Sequence, residues 1–296
     1  MLSTVKTVGI VGKHHEEKHI QAVCLLVRYC QDRQLNVFVE ETTAEAVGLP
    51  ELAASYEMLA KTIDLMIVAG GDGLMLFASR YMAPAGVPVL GINRGRLGFL
   101  TAFESKTMTA ELDDVFSGKS VRKTRALIEG ELFRHEDTPL ETGNALNDIF
   151  ICRGASGRLM EFELFVDDEF VYRQRADGLI VSTPTGSTAY ALSANGPIVH
   201  PAVKGLLLVP LCPHSLSCRP LLVPDTAVIK CRLIDAPDAY LHFDGQHHVS
   251  INAGDVIVIQ QAKDQVELIL PEQYQYFDIL RKKLHWSETP RFDDHE

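Results

Sequence analysis

The chain has 296 residues and a formal net charge of −11, from 28 basic and 39 acidic side chains. This length predicts two domains, and an acidic chain without a basic block is not expected to bind nucleic acid. No apolar run reaches the ~18 residues that a membrane span needs, and the first residues lack the layout of a signal peptide. Six cysteines without a C-x-x-C pair predict free thiols in a reducing cytoplasm and no zinc site.

Short apolar strands alternate with helical segments over residues 1–100. Four strands are predicted, at 8–11, 35–39, 65–68 and 88–92. A helix after the first strand is indicated by apolar residues at i, i+3, i+4, i+7 spacing: Ile20, Val23, Cys24 and Val27. This alternation predicts an α/β domain with a parallel sheet, and such sheets bind ligands beyond the carboxyl ends of their strands.

A glycine-rich turn, Gly70-Gly71-Asp72-Gly73, follows the strand at 65–68 and precedes a predicted helix at 74–81. Glycines let the backbone approach a ligand, and the N–H groups at a helix N-terminus favour phosphate. Asp72 repels phosphate, so we expect it to accept a proton from a hydroxyl or to hold a metal. The turn could also be purely structural. Three cations beside these strands would either contact phosphate or be solvated: Lys13, Arg94 and Arg96.

After residue 100 the pattern changes to the period of two that is typical of half-buried strands, as at 160–166. Further strands are predicted at 206–209, 228–234, 256–259 and 266–270. These runs predict an all-β, sandwich-like second domain at 101–270. Helical spacing resumes after residue 271, so the tail at 271–296 is expected to return to the first domain.

A dense run of small polar residues surrounds Gly186. Its Ser and Thr hydroxyls can bond a sugar or phosphate, and Tyr190 can stack on a base, although such clusters are often ordinary loops. No G-x-S-x-G elbow is present, which argues against a serine hydrolase. The pair Asn147-Asp148 could bind ribose or a carboxamide, or could simply form a turn.

Two groups of metal-ligand residue types are interpreted as structural. His242, His247 and His248 flank a predicted hairpin tip and lack further ligand spacing. Cys212 and Cys218 have the wrong spacing for zinc and are predicted to be buried apolar residues.

Several motifs together resemble the NAD kinase family, over residues 8–286. The matching stretches are GGDG at 70–73, GINRGRLGFLT at 91–101, ND at 147–148, RADGLIVSTPTGSTAYALSANGP at 175–197, LCPHSLSCRPL at 211–221 and DGQ at 244–246. GGDG is shared with lipid kinases and phosphofructokinase-like enzymes, whereas the stretch at 175–197 is far more specific. The departures include Leu74, where many members have Asn or Thr, and Asp148, where Glu is frequent.

The resemblance implies transfer of the γ-phosphate of ATP to the 2′-hydroxyl of the adenosine ribose of NAD, giving NADP. It also implies an α/β domain followed by an all-β domain, a divalent metal ion (Mg²⁺ or Mn²⁺), and a homodimer or homotetramer. Asp72 is then the catalytic base, with Gly70, Gly71 and Gly73 holding phosphate. The remaining residues implied for NAD binding are Asn147, Asp148, Arg158, Arg175, Asp177, Thr188, Ala189, Tyr190, Ala191, Leu192, Ser193 and Gln246.

Two alternatives belong to other functional classes. A lipid kinase of the same superfamily would need an apolar or basic membrane-facing surface, which a net charge of −11 does not favour. A non-catalytic dinucleotide sensor would keep the loop at 183–193 but would not need Asp72. Lipid phosphorylation and NAD phosphorylation assays separate these hypotheses.

Overall fold

The computed structural model describes residues 5–13, 17–93 and 98–286. The chain divides into two compact units, Met1–Thr124 with Glu267–Glu296, and Arg125–Val266. The change of sequence pattern predicts the first division at residue 100, before the end of the first unit. The first unit extends further because a helix after that point buries Met108, Leu112 and Val115 in its core.

The first unit is an α/β fold around a parallel sheet. Its elements are β1 (Thr7–Gly12), α1 (Glu17–Asp32), β2 (Asn36–Glu40), α2 (Glu41–Val47), β3 (Ala53–Ala54), α3 (Tyr56–Thr62), β4 (Leu65–Ala69), α4 (Asp72–Met82), β5 (Val89–Asn93), β6 (Phe103–Glu104) and α5 (Met108–Phe116). The strand order is β5-β4-β1-β2-β3, and all four pairings are parallel. Every residue of β4 and β5 is buried, as expected for parallel strands covered on both faces.

The second unit consists mainly of antiparallel strands. They are β7 (Ser120–Phe133), β8 (Glu141–Ala145), β9 (Asp148–Arg153), β10 (Met160–Val166), β11 (Glu169–Ala176), β12 (Gly178–Ser182), β13 (Leu206–Leu211), β14 (Leu221–Val223), β15 (Ile229–Asp235), β16 (Ala239–Phe243), β17 (His247–Ile251) and β18 (Val256–Pro271). A short helix, α6 (Tyr190–Ser193), follows β12. The final helix, α7 (Tyr276–Leu284), belongs to the first unit.

Two sheets share the core of the second unit. One has the order β14-β13-β12-β9-β16-β17, and the strands β11-β10-β15-β18 form part of the other. Phe162 from the second of these sheets and Phe243 from the first lie in the same buried cluster. The prediction of an α/β domain followed by a sandwich-like β domain is therefore confirmed.

The prediction of separate strands at 256–259 and 266–270 is wrong, because β18 is one strand of 16 residues. The middle of β18 is polar and lacks the alternation of apolar residues that indicates a strand. The apolar pattern is therefore interrupted, although the strand itself continues. The end of β18 pairs in parallel with β5, through Leu268 and Ile269. With Ile279 and Leu280 of α7 buried, the C-terminal segment returns to the first unit as predicted. Within the described ranges, no helix is both long and apolar enough to cross a membrane.

Candidate active site

The glycine turn connects β4 to α4, and Asp72 is the first residue of the helix. Gly71 is the N-cap, and a Cβ added there would have no heavy atom within 4 Å, so the backbone is open to an incoming group. Gly73 is exposed in the first helical turn. The Gly70 N–H donates to the carbonyl oxygen of Ile92 at 3.0 Å, so this donor is already used within the sheet.

The Asp72 carboxylate is held by a loop that lies after β5. Oδ1 accepts hydrogen bonds from the N–H groups of Leu100 and Thr101, at 3.1 and 3.2 Å, and from the Thr101 hydroxyl at 3.1 Å. Among the described residues, Oδ2 accepts the N–H of Phe99 alone, at 2.9 Å. Because a carboxylate oxygen can accept two hydrogen bonds, Oδ2 has capacity for one more donor, such as a substrate hydroxyl.

Gly98 lets this loop approach the carboxylate. A Cβ at Gly98 would overlap Oδ1 of Asp72 and the Thr101 hydroxyl. Sequence reasoning did not identify the loop as the partner of Asp72, although the stretch at 91–101 was one of the motifs in the family resemblance. Of the cations expected near phosphate, Lys13 is exposed after β1, and Arg94 and Arg96 lie outside the described residues.

In the second unit, Asn147 and Asp148 lie at the junction of β8 and β9. Their backbone groups form hydrogen bonds with two different segments. The Asn147 carbonyl accepts the Thr183 N–H at 2.9 Å and the Ser182 hydroxyl at 3.2 Å. The N–H groups of Asn147 and Asp148 donate to Asp244. Because these bonds fix the backbone, the pair is more than a solvated turn. None of these bonds uses the Asn147 side-chain amide.

Asp148 is a buried acid with only 3% of its surface exposed. Burial, and secondly the neighbouring Asp244 carboxylate, raise the pKa of Asp148 to about 7. The side chain is therefore partly protonated at neutral pH. A protonated carboxyl can donate a hydrogen bond to a ligand oxygen as well as accept one.

Asp177 is paired with Arg153, which sequence reasoning missed. The Arg153 guanidinium contacts both carboxylate oxygens of Asp177, the second at 3.4 Å. The Arg153 N–H also donates to the Asp177 carbonyl at 2.9 Å, so the two residues are fixed across neighbouring strands. Any ligand of Asp177 would meet an ion pair and not an isolated carboxylate.

The segment after β12 packs on the Asn147 turn. The Thr183 hydroxyl donates to the Leu146 carbonyl at 2.6 Å and accepts the Gly186 N–H at 3.1 Å. A Cβ at Gly186 would lie closer than 3.0 Å to three backbone atoms of Asn147, so only glycine fits. The Ser/Thr cluster around Gly186 therefore packs against the Asn147-Asp148 pair. The spacing of these motifs in the sequence could not show this contact.

Helix α6 presents Tyr190 beside an aromatic stack. The Tyr190 ring packs edge-on against Phe150 at 5.0 Å between centroids, and Phe150 stacks on His242 at 4.5 Å. Burial is the main cause that raises the pKa of Tyr190. Tyr190 and Ser193 line a cavity of about 550 Å³. Of the other predicted residues here, Ala191 is buried in the core, and three are half-buried: Thr188, Ala189 and Leu192.

The segments 210–213 and 218–220 also line this cavity. The prediction that Cys212 is buried is wrong, because this residue is exposed, and Cys218 is only half-buried. Both thiols line the cavity. Cys212 has a left-handed backbone with φ of 43°, which turns the chain directly after β13.

The last three predicted residues, Arg158, Arg175 and Gln246, are exposed. The Arg175 carbonyl accepts the His214 N–H at 2.9 Å, so its strand is tied to the segment after β13. The histidines flank the β16–β17 turn, and the rings of His242 and His248 lie 5.3 Å apart. In the described part of the chain, no three His, Cys, Asp or Glu side chains are grouped so as to hold a metal ion.

Comparison with known proteins assigns both units to the same family. The ATP-NAD kinase N-terminal domain model matches residues 8–120, and the ATP-NAD kinase C-terminal domain model matches residues 146–270. The NAD kinase of Aromatoleum aromaticum is 44% identical over 293 residues, which cover 98% of this chain and 97% of that protein. The NAD kinase of Chromohalobacter salexigens is 42% identical over 287 residues, with 95% and 97% coverage.

Two solved structures share the fold of this chain. Yeast NADH kinase, solved in complex with NADH, superposes with a TM-score of 0.89 at 28% identity, covering 97% of this chain and 90% of that one. The NAD kinase of Archaeoglobus fulgidus, solved with ATP, shares the fold with a TM-score of 0.74 at 24% identity, over 93% and 98% of the chains. On these matches, the chain belongs to the NAD kinase family.

Proposed function

We propose that this protein transfers the γ-phosphate of ATP to the 2′-hydroxyl of the adenosine ribose of NAD, forming NADP. The observation that carries the proposal is the state of Asp72. This carboxylate stands at the start of a helix beside the open backbone of Gly71, and its Oδ2 accepts one hydrogen bond from the part of the chain that the structure describes. A ribose hydroxyl is a poor nucleophile, so a carboxylate that accepts its proton promotes attack on the phosphate.

The phosphate donor would lie along the open backbone at Gly71, at the positive end of α4. Mg²⁺ or Mn²⁺ would arrive with ATP, because such ions are usually bound through one or two carboxylates together with substrate phosphates. The ion supplies charge neutralisation during phosphoryl transfer. Asp72 is the side chain of this turn that would contact it.

The dinucleotide would be bound by residues of the second unit. Asn147 and Asp148 hold its nicotinamide end, while Asp177, Tyr190 and Ser193 contact sugar and base. The position of Tyr190 and Ser193 on the wall of the 550 Å³ cavity supports this assignment. So does the 28% identical yeast enzyme, which was solved with NADH.

We further propose a homodimer or homotetramer in the cytoplasm. The edge strand β14 exposes Leu221 and Leu222, and Leu216 just before it is 97% exposed. An apolar sheet edge of this kind favours pairing with a second copy. The six cysteines form no disulfide, which agrees with a reducing compartment.

The proposal is tested by comparing NAD and AMP as phosphate acceptors. If binding energy from the nicotinamide half orients the adenosine hydroxyl, AMP should be a very poor acceptor at any concentration, because truncation then lowers kcat. Asn147→Ala should move NAD toward that poor level. Equal turnover of AMP and NAD by the parent, or a phosphate on another hydroxyl, would overturn the proposal.

A further inference from the structure

Asp244 connects the β16–β17 turn to the beginning of β9. Its Oδ1 accepts the N–H groups of Asn147 and Asp148, at 2.8 and 3.2 Å, and its Oδ2 accepts the Leu146 N–H at 3.0 Å. Its own N–H donates to the Asp148 carbonyl at 2.9 Å. Four hydrogen bonds therefore join one aspartate to three consecutive residues.

Three successive N–H groups can converge on one carboxylate only if the backbone curves around it. The carbonyls of Leu146 and Asn147 are bonded on the other side by residues 182 and 183. The direction of the Asn147 and Asp148 side chains is therefore set by a backbone that Asp244 holds from one side. Hydrogen bonds to an ionised group are stronger than neutral ones, so the Asp244 charge contributes to this restraint.

Asp244 itself is in an unusual conformation. Its φ is 51°, in the left-handed region that costs energy for a residue with a Cβ, although Asp tolerates it better than most. Gly245 follows with φ of 64°. The two residues form the tight hairpin turn that carries the carboxylate to the start of β9.

We propose that Asp244 is a positioning residue for dinucleotide binding, whose carboxylate holds the 146–148 turn in the conformation from which Asn147 and Asp148 reach the ligand. The inference rests on the proposed function, because it takes NAD as the ligand. Asp244 acts through its neighbours and is not assigned a contact with substrate.

Asp244 also influences the charge of Asp148. The titratable groups around the Asp148 carboxyl are the Asp244 carboxylate and, from α6, the Tyr190 phenol. Removing the Asp244 charge would make Asp148 easier to ionise. The midpoint of any pH dependence of NAD affinity would then move to lower pH, which a purely structural role for Asp244 would not cause.

The test measures NAD binding to the full-length protein by calorimetry from pH 6 to 8, for the parent, Asp244→Asn and Asp244→Glu. We expect Asp244→Asn to weaken NAD binding by about 10-fold, the effect of losing one charge-assisted hydrogen bond, and to lower the pH midpoint. Asp244→Glu retains the charge and should show an intermediate loss, with the KM for ATP within twofold of the parent. Asp137→Asn, which removes the charge of an exposed carboxylate, is the matched control and should bind NAD normally.

NAD affinity within twofold of the parent in Asp244→Asn, or an unchanged pH midpoint, would overturn the inference and leave the proposed function standing. Absence of NAD binding by the folded parent would contradict the proposed function itself. If circular dichroism shows that Asp244→Asn does not fold, Asp244→Glu decides: a loss of NAD affinity beyond twofold supports the inference, and parental affinity overturns it.

Discussion

Two aspartates on different units are held in the same way, each by three consecutive backbone N–H groups. Asp72 accepts those of residues 99–101, and Asp244 accepts those of residues 146–148. The sequence indicated a chemical role for Asp72 because a carboxylate would repel the phosphate that the glycine turn favours. It could not identify the partners, because they lie 27 to 29 residues away for Asp72 and 96 to 98 for Asp244.

Replacing Asp72 with Asn should lower kcat for NAD phosphorylation by about 10²-fold or more, the typical contribution of a general base. The amide keeps the shape of the carboxylate and cannot take the hydroxyl proton, so NAD binding should persist. Steady-state kinetics and NAD titration measure the two effects separately. Asp32→Asn, an exposed carboxylate on α1, should behave as the parent. Activity of Asp72→Asn within threefold of the parent would remove this residue from the mechanism.

The raised pKa of Asp148 should make stability depend on pH. Between the usual carboxyl pKa of 3.8 and about 7, the folded protein keeps a proton on Asp148 that the unfolded chain has lost. Stability from this group is therefore full at low pH and is lost as pH rises toward 7, by at most about 1.4 kcal/mol per pH unit. Asp148→Asn should remove this loss, so the variant should gain stability relative to the parent between pH 5 and pH 7.

Urea midpoints for parent and variant at these two pH values provide the measurement. An identical change in both proteins would show that Asp148 titrates normally in the folded state.

At the level of elements, apolar patterns predicted β1, β2, β4, β5 and α1, whereas β3 and the amphipathic helix α5 were not predicted. They did not predict β8, whose sequence, Glu141–Ala145, is mostly polar and small, because one of its faces is solvated. They also divided β18 into two strands, because its middle residues are polar. Backbone pairing, which leaves no apolar signal, joins β8 to β7, and it joins the beginning of β18 to β15 and its end to β5.

The turn at 186–188 is an element whose position depends on a single glycine. Gly186→Ala would force a methyl group against backbone atoms of Asn147. These atoms cannot move aside as the end of a flexible side chain could. We expect a loss of about 1–3 kcal/mol of unfolding free energy, the usual cost of overpacking, together with weaker NAD binding. Gly71→Ala is the stability control, because its Cβ would meet nothing within 4 Å.

Chemical denaturation of the parent and both glycine variants measures these unfolding free energies. Equal stability of Gly186→Ala and the parent would show that the turn can separate from the Asn147 strand without cost.

At the scale of the whole molecule, the two-domain organisation and the returning tail follow from pattern and length alone. The tail returns because the end of β18 supplies Ile269 to the buried core of the first unit, and α7 buries Ile279 and Leu280. What the pattern could not supply is the set of contacts that prepare each motif: the loop at 99–101 on Asp72, Arg153 on Asp177, and Asp244 on Asn147. All three depend on pairings that only the folded chain creates.

Phosphorylation of NAD at the 2′-hydroxyl, with ATP as donor, is the activity that we propose for this chain. The direct measurement incubates the protein with NAD, ATP and Mg²⁺ and detects product with a dehydrogenase that accepts only NADP, with Asp72→Asn as the matched control. We expect NADP formation by the parent and at least about 10²-fold slower formation by the variant. Absence of NADP with the folded parent, or equal rates for parent and variant, would contradict it.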